Sequence, residues 1–365
     1  VTTSGFPLAP GAVIGVLGGG QLGRMLALAA ARLGFDVAVL TPETDSPAGR
    51  VAAHTIVAAY DDPGALAELA RLSSAVTFEF ENVPAAVVAT LESLGVAVAP
   101  GPKALAVAQD RVAEKSFCQS VGVPTVAFAA IDRFEDIASA LDRLGAPALL
   151  KTRREGYDGK GQVWIKDAAE AEAAWTSIGA KPAILEARAD FVREVSLIAA
   201  RGRDGSFAAY PLTENQHEDG ILRRSIAPAR ASETTAAQAR SIVDTITAAL
   251  DYVGVVGVEL FELADGRLLV NEMAPRVHNS GHWTLDACEV DQFEQQVRAV
   301  AGWPLGPTAP FAEVEMLNLL GAEADDWQAL AADPSARVWL YGKRGARAYA
   351  ARRKMGHVNR LRPLR

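Results

Sequence analysis

Cysteine is nearly absent from this 365-residue chain, with Cys118 and Cys288 the only two. That scarcity excludes a disulfide framework or a cysteine-built zinc site and points to a reducing compartment. A basic excess is missing too: 44 acidic residues outnumber 36 Lys and Arg, giving a net charge of −8. Nucleic-acid binders carry the opposite signature, so an anionic ligand must be gathered by local Arg, Lys and backbone N–H clusters. No apolar run reaches bilayer length, and the opening VTTSGFPLAPG lacks the charged and hydrophobic regions of a secretory signal. The expected setting is cytoplasmic, with neither membrane nor nucleic acid as partner. Repeats and low-complexity linkers are lacking. What remains is a globular composition, 50% hydrophobic and long enough for two or three domains.

The most informative stretch runs from Val253 to Trp283. Its apolar runs Val255 to Leu263 and Leu268 to Met273 flank Ala264-Asp265-Gly266, a hairpin pattern. With a loop of Ala264 to Arg267, Glu259 and Glu272 fall opposite each other on one face. Facing carboxylates repel unless a cation lies between them. Hard oxygen ligands suit Mg²⁺, which takes substrate phosphates and water as its other ligands. A surface hairpin with scattered acids is the competing reading. Behind the hairpin, Ala274 to His282 is dense in anion-binding and hydrogen-bonding groups.

The chain opens as alternating α/β units. An apolar strand at 12–18 is followed by Gly18-Gly19-Gly20-Gln21-Leu22-Gly23, a helical Met25 to Leu33 and a strand Asp36 to Leu40. A glycine turn at a helix N-terminus accepts phosphate, and Glu43 lies about twenty residues on, as in dinucleotide-binding proteins. The same glycines serve any close strand-to-helix turn, so both readings stand. Next come a helix Ala65 to Arg71, a third strand Ala75 to Phe80, a helix Ala85 to Leu94 and a strand Val96 to Ala99. Glu81 and Asn82, at the carboxyl end of the third strand, either hold a sugar hydroxyl or cap the following helix.

A helix Asp110 to Val123, opened by Arg111, leads into a strand Val126 to Ile131, a helix Arg133 to Leu144 and a strand ending at Lys151. The loop Thr152 to Gln162 is crowded with glycine and charge and precedes a strand Val163 to Lys166. It is not a Walker loop, which runs from strand into helix; it suits a flap closing over phosphates, or a surface hairpin tip. Glu186 ends the strand Ala183 to Ala187, where an adenine amine or ribose hydroxyl would be held, and Glu194 opens another strand. Thr213 to Gly220 reads as a polar loop, in which His217 is either structural or a ligand. After a long amphipathic helix Thr234 to Leu250 and the hairpin, a helix Asp291 to Ala301 and strands Val314 to Leu320 and Val338 to Tyr341 lead to Lys343-Arg344 and Arg352-Arg353-Lys354. That basic cluster is an anion site or a solvated face.

An ATP site is the common denominator of a carboxylate pair, a strand-end lysine and a glycine flap, and protein-kinase signatures are missing. The arrangement resembles the ATP-grasp superfamily. GVLGGGQLGRML, TFEFENVP, GYDGKGQ, YPLTENQHEDGILRRSIAPA and NEMAPRVHNSGHWT resemble, in order and over nearly the whole chain, the N5-carboxyaminoimidazole ribonucleotide synthase family. The resemblance implies an α/β and α+β architecture: an N-terminal Rossmann-like (pre-ATP-grasp) domain at 1–112, an ATP-grasp domain at 113–300 with a lid lobe about 125–187, and a small C-terminal domain at 301–365. It implies ATP- and bicarbonate-dependent carboxylation of 5-aminoimidazole ribonucleotide, with Mg²⁺ (Mn²⁺ as alternative) and a homodimer. Nucleotide contacts fall on Arg111, Lys151, Gly156, Tyr157, Asp158, Gly159, Lys160, Gly161, Gln162, Glu186, Ala187, Arg188, Ala189, Glu194, His217, Asn271 and Glu272, and the metal on Glu259 and Glu272. Tyr157, Asp158, Gly159, Lys151 and Arg276 are the implied catalytic residues; Gln21, Leu22, Glu81, Arg276, His278, Asn279, Lys343 and Arg353 the implied substrate contacts. The first glycine turn then serves substrate positioning and not NAD. The family's compact turn before R-K-M-G-H is longer here, and its final helix is replaced by RLRPLR. Another ATP-grasp ligase, such as a formate-dependent glycinamide ribonucleotide enzyme, an NAD-dependent oxidoreductase and a silent ATP-binding regulator are the alternatives.

Overall fold

A computed structural model describes residues 5–154, 156, 161–344 and 352–364. The first 100 or so residues build a parallel sheet from β1 (Val13–Leu17), β2 (Asp36–Thr41), β3 (His54–Val57), β4 (Ala75–Phe78) and β5 (Ala97–Val98), in the order β3-β2-β1-β4-β5. Its central strands are buried on both faces, which is why they read as continuous apolar runs. The edge strand β3 was not expected, because only Ile56 of its four residues is buried and no apolar run marks it. Ala75 to Phe80 is therefore the fourth strand and ends at Phe78. A helix Pro102–Ala108 was likewise unmarked.

The second sheet is antiparallel: β6 (Phe128–Ile131), β7 (Ala148–Thr152), β8 (Gln162–Ile165) and β9 (Ala183–Ala187), ordered β6-β9-β7-β8. One face packs Leu150, Ile165 and Leu185 onto the helices Asp136–Leu144 and Ala171–Ser177. Alternation sends Leu149, Lys151, Trp164 and Glu186 to the other face, toward a cleft.

The large sheet comprises β10 (Phe191–Arg201), β11 (Phe207–Ala209), β12 (Thr213–Glu218), β13 (Ile221–Ala227), β14 (Gly254–Leu263), β15 (Leu268–Ala274), β16 (Ala312–Leu320), β17 (Ala336–Leu340) and β18 (Lys354–Pro363). Its order is β15-β14-β10-β12-β13-β16-β18-β17, with β11 on β10. Val195, Leu197, Val258 and Leu260 bury one face under the long helix Glu233–Ala249. On the opposite face, Ile198, Ala200 and Val255 pack with Phe293 and Val297 of the helix Gln292–Ala301. The rest of that face is polar and opens to the cleft.

One expectation is corrected here. Thr213–Glu218 is not a loop but the strand β12. Its inward Thr213 and Asn215 are polar yet satisfied, by Trp283 Nε1 at 2.9 Å and by Ser196 and Ser225 respectively, so a strand was hidden behind loop-like composition. Arg360 to Pro363 complete β18, which pairs with β16 from Leu320↔Lys354 to Ala312↔Pro363.

Candidate active site

A cleft of about 1590 Å³ is lined by the two antiparallel sheets and by residues that follow β1, β2 and β4 of the parallel sheet. At its floor Glu259 of β14 pairs with Glu272 of β15, as expected, but by a different register. The turn sets Phe261 opposite Leu269 and Leu260 opposite Val270; Asn271 is then an extra residue, a bulge that restores Glu259↔Glu272. Bulges re-aim side chains. Here the Asn271 Oδ1 atom is a buried acceptor without a hydrogen-bond partner among the described residues. The two carboxylates are driven apart electrically. Burial and the neighbouring Glu272 charge push Glu259 up. Burial pushes Glu272 the same way, but Arg111, Lys151 and His278 override it and hold it low. Its side chain remains 40% exposed into the cleft, so water tempers the burial cost.

Arg111 opens the helix Arg111–Ser120 behind an Asp110 cap, whose Oδ1 accepts from Val112 N at 3.0 Å and Ala113 N at 3.2 Å. A cation at a helix's positive end is unfavourable by itself; Glu272 compensates, with its Oε2 2.7 Å from Arg111 Nη1. One turn along, Lys115 is buried with Nζ 3.2 Å from Glu186 Oε1, while Lys151 Nζ lies 2.7 Å from Glu186 Oε2. Both lysines therefore engage Glu186, which anchors Lys151 in the cleft. His217 Nδ1 is 2.7 Å from Glu194 Oε2; burial opposes its charge, but Glu194 and Glu259 raise its pKa. Phe191 and Phe261, also in the lining, stack at 4.5 Å, and Trp164 is a third aromatic of the cleft wall.

The carboxylates of the FEFE stretch have different fates. Glu81 takes the Arg276 guanidinium in a two-toothed pair: Nε to Oε2, and Nη2 to Oε1 at 3.0 Å. Burial alone would push Glu81 up, yet Arg276 brings it down. Glu79 instead turns into the glycine turn, accepting from Gly20 N and, at 2.7 Å, from Gly23 N. A Cβ on Gly18 would stand 2.2 Å from Glu79 Cγ. The protein's own carboxylate thus fills the place where a dinucleotide's phosphate would bind.

The cleft lining brings together Gln21, Leu22, Glu81, Arg111, Lys151, Gly156, Gln162, Glu186, Ala187, Arg188, Ala189, Glu194, His217, Glu259, Asn271, Glu272, Arg276, His278, Asn279, Lys343 and Arg353. Gly161 is not in the lining: at φ +71° its carbonyl accepts from Thr152 N at 2.8 Å, closing the hairpin neck. Tyr157, Asp158, Gly159 and Lys160 lie outside the described residues. Sequence reasoning missed Glu79, Lys115, Trp164 and Asn318, whose amide pairs reciprocally with Asn279 at 2.7 and 3.0 Å. Only Lys115 left a signal, as a charge on the inward face of its helix beside Glu114.

Residues 12–109 match the ribonucleotide synthetase preATP-grasp domain, 116–293 the ATP-grasp domain and 315–363 the phosphoribosylaminoimidazole carboxylase C-terminal domain. The N5-carboxyaminoimidazole ribonucleotide synthase of Brucella melitensis is 50% identical over 358 residues, 98% of each chain. The chain belongs to the N5-carboxyaminoimidazole ribonucleotide synthase family. A synthetase of this family from Thermus thermophilus is 46% identical, with a TM-score of 0.89 over 96% of this chain and 93% of that one. The synthase of Aspergillus clavatus, solved with ADP and 5-aminoimidazole ribonucleotide, is 29% identical, with a TM-score of 0.90 over 97% and 94% of the two chains. The expected ATP-grasp architecture, with its preATP-grasp and small C-terminal domains, is the observed one. Synthase membership and the Glu79-filled turn together retire the oxidoreductase reading.

Proposed function

We propose that the chain carboxylates 5-aminoimidazole ribonucleotide to N5-carboxyaminoimidazole ribonucleotide, using ATP and bicarbonate and releasing ADP and phosphate. The observation that carries this reading is the in-register Glu259–Glu272 pair on a cleft shared with Lys151, Arg276 and Lys343. Glu259, Glu272 and Asn271 Oδ1, which has no partner among the described residues, form a hard-oxygen donor set, which fits Mg²⁺ better than a softer metal. When bound, Mg²⁺ supplies neutralisation of phosphate charge. The proposed domain limits are 1–112, 113–300 and 301–365, and the assembly a cytoplasmic homodimer.

Bicarbonate is a poor acyl donor because hydroxide leaves badly. Attack of a bicarbonate oxygen on the γ-phosphorus breaks the bond to ADP and forms carboxyphosphate. The substrate's exocyclic amine then forms the C–N bond, phosphate leaves with the C–O electron pair, and the amine's proton goes to Asp158. Phosphoryl transfer asks mainly for positioning and charge neutralisation. Lys151, which pairs with Glu186, is assigned to the phosphates, and Arg276, which pairs with Glu81, to the developing anion. Trp164, Phe191 and Phe261 give the base an apolar slot. Lys343 and Arg353 are assigned to the ribonucleotide's 5′-phosphate, and the flap Gly156 to Gln162 to excluding water.

ADP release should require bicarbonate and aminoimidazole ribonucleotide together. ADP formed with formate and glycinamide ribonucleotide instead, or with neither, would reject the proposal. Near-normal product formation by Asp158→Asn with ATP still bound would remove that residue from the chemistry.

A further inference from the structure

His278 lines the cleft with Nε2 3.5 Å from Glu259 Oε1. Its backbone is held on both sides by the Gln292 side chain: Oε1 accepts His278 N–H at 2.9 Å, and Nε2 donates to the His278 carbonyl at 2.8 Å. The ring's other nitrogen, Nδ1, faces two groups of Ser280, Oγ at 2.9 Å and the backbone N at 3.4 Å. From Ser280 a buried polar chain runs across the adjacent strands β10, β12 and β13. Ser280 Oγ is 2.7 Å from Ser196 Oγ, Ser196 Oγ is 2.9 Å from Asn215 Nδ2, and Asn215 Oδ1 is 2.8 Å from Ser225 Oγ. All three serines are fully buried and Asn215 is 5% exposed.

Hydroxyls can donate in either direction, so such a chain is ambiguous unless an end is fixed. The backbone N–H of Ser280 can only donate, so Nδ1 must accept. The Ser280 hydroxyl then gives its proton to Nδ1 and takes one from Ser196. Ser196 in turn accepts from the Asn215 amide, whose oxygen accepts from Ser225. At the far side of the ring, a carboxylate beside Nε2 calls for a proton on that nitrogen. Both ends therefore select one tautomer, since the partner of one ring nitrogen decides where the proton on the other resides. The reverse chain would set Nδ1–H against the Ser280 N–H and a bare Nε2 lone pair against Glu259.

We propose that Ser225, Asn215, Ser196 and Ser280 are positioning residues that form a one-way hydrogen-bond chain holding His278 as the Nε2–H tautomer. The imidazole then offers the cleft a fixed N–H donor and not a base. This rests on the carboxylation reading only for what the donor meets: an oxygen of the phosphoryl or carboxyl group in transfer.

The test is nitrogen NMR of the full chain labelled at its five histidines, at neutral pH without ligands, with His278 assigned by its loss in His278→Asn. Nδ1 should appear unprotonated and Nε2 protonated. An Nδ1–H tautomer, or a fast mixture, in the wild-type protein would overturn the proposal, whatever the enzyme's substrate proves to be. Ser225→Ala frees the Asn215 amide to turn over and reverse the chain against the Ser280 N–H, and should introduce a minor second tautomer; an unchanged His278 spectrum would show that the Ser280 N–H alone fixes the ring and would overturn the chain's role. Ser280→Ala should lower kcat for ADP formation about tenfold while KM for ATP stays within about twofold. A fall in stability with unchanged kcat would make Ser280 merely structural and defeat the proposal.

Discussion

Two polar centres in this molecule begin from similar cues and end in opposite states. The glycine turn at Gly18 to Gly23 places donors at a helix N-terminus, and the hairpin places acceptors at Glu259 and Glu272. The turn is closed on itself: both its amides bond to Glu79, which is 8% exposed. The hairpin is left open: Glu259 is raised by burial and by its neighbour's charge, Glu272 is partly exposed and Asn271 Oδ1 lacks a partner among the described residues. A motif advertises a kind of ligand, but whether the ligand is external depends on which groups the fold has already paired. Structural burial and functional availability are thus alternatives for the same chemistry.

The widest split between the two centres should appear on neutralising one carboxylate of the open pair. Glu259→Gln removes the charge of a proposed metal ligand and also a buried like-charge repulsion. ADP formation dependent on aminoimidazole ribonucleotide should fall at least about 10²-fold, whereas the urea midpoint should hold or rise. A variant that loses stability and keeps its rate would place Glu259 with the closed, structural carboxylates.

The open centre was the more legible in sequence. Alternation around Ala264-Asp265-Gly266 pointed to the Glu259–Glu272 pair, but the register between was off by one residue, and the pair survives only because the Asn271 bulge makes up the difference. A one-residue bulge depends on tertiary strain and leaves no mark in composition. The parallel strands β1, β2 and β4 were readable because both faces are apolar, and β3 was not because only Ile56 is buried. β12 was misread for a related reason: Thr213 and Asn215 face inward on the strength of partners at Trp283, Ser196 and Ser225, all distant in the chain. The same holds for Glu79, which sits two residues from Glu81 in a repeated Phe-Glu texture; only the folded turn decides which carboxylate enters it. Local periodicity reports hydrophobic faces well and says little about polar groups satisfied over long sequence distances.

A smaller effect is expected at the closed centre. Glu79→Gln keeps one carbonyl oxygen but turns an amide NH₂ toward one of the two glycine donors, leaving that N–H unsatisfied. The loss should be about 2 kcal/mol in chemical denaturation. Neither protein should bind a nicotinamide nucleotide, because the glutamine still occupies the turn. Binding of NAD by the variant would show that one charge, and not the side chain's bulk, kept that site shut.

The finest distinction lies in how that loss varies with pH. Burial pushes Glu79 above its ordinary value of 4.5, more strongly than the two glycine amides and Arg276 pull it down. The folded state therefore holds the Glu79 proton more tightly than the unfolded chain does. Its stabilising contribution is fully present below the unfolded pKa and is lost as pH rises through the folded one. Glutamine has no such proton, so the stability gap between the wild-type protein and Glu79→Gln should narrow from acid toward neutral pH. The open centre gives the reverse sign at Glu272, which Arg111 holds low: its contribution is present above the unfolded pKa and lost as pH falls through the folded one. Urea titrations of wild type, Glu79→Gln and Glu272→Gln across the acidic range should therefore give difference curves of opposite slope. Parallel curves would mean that the glycine amides, and not burial, govern Glu79, and that the turn is a true anion hole occupied by a permanently ionised side chain.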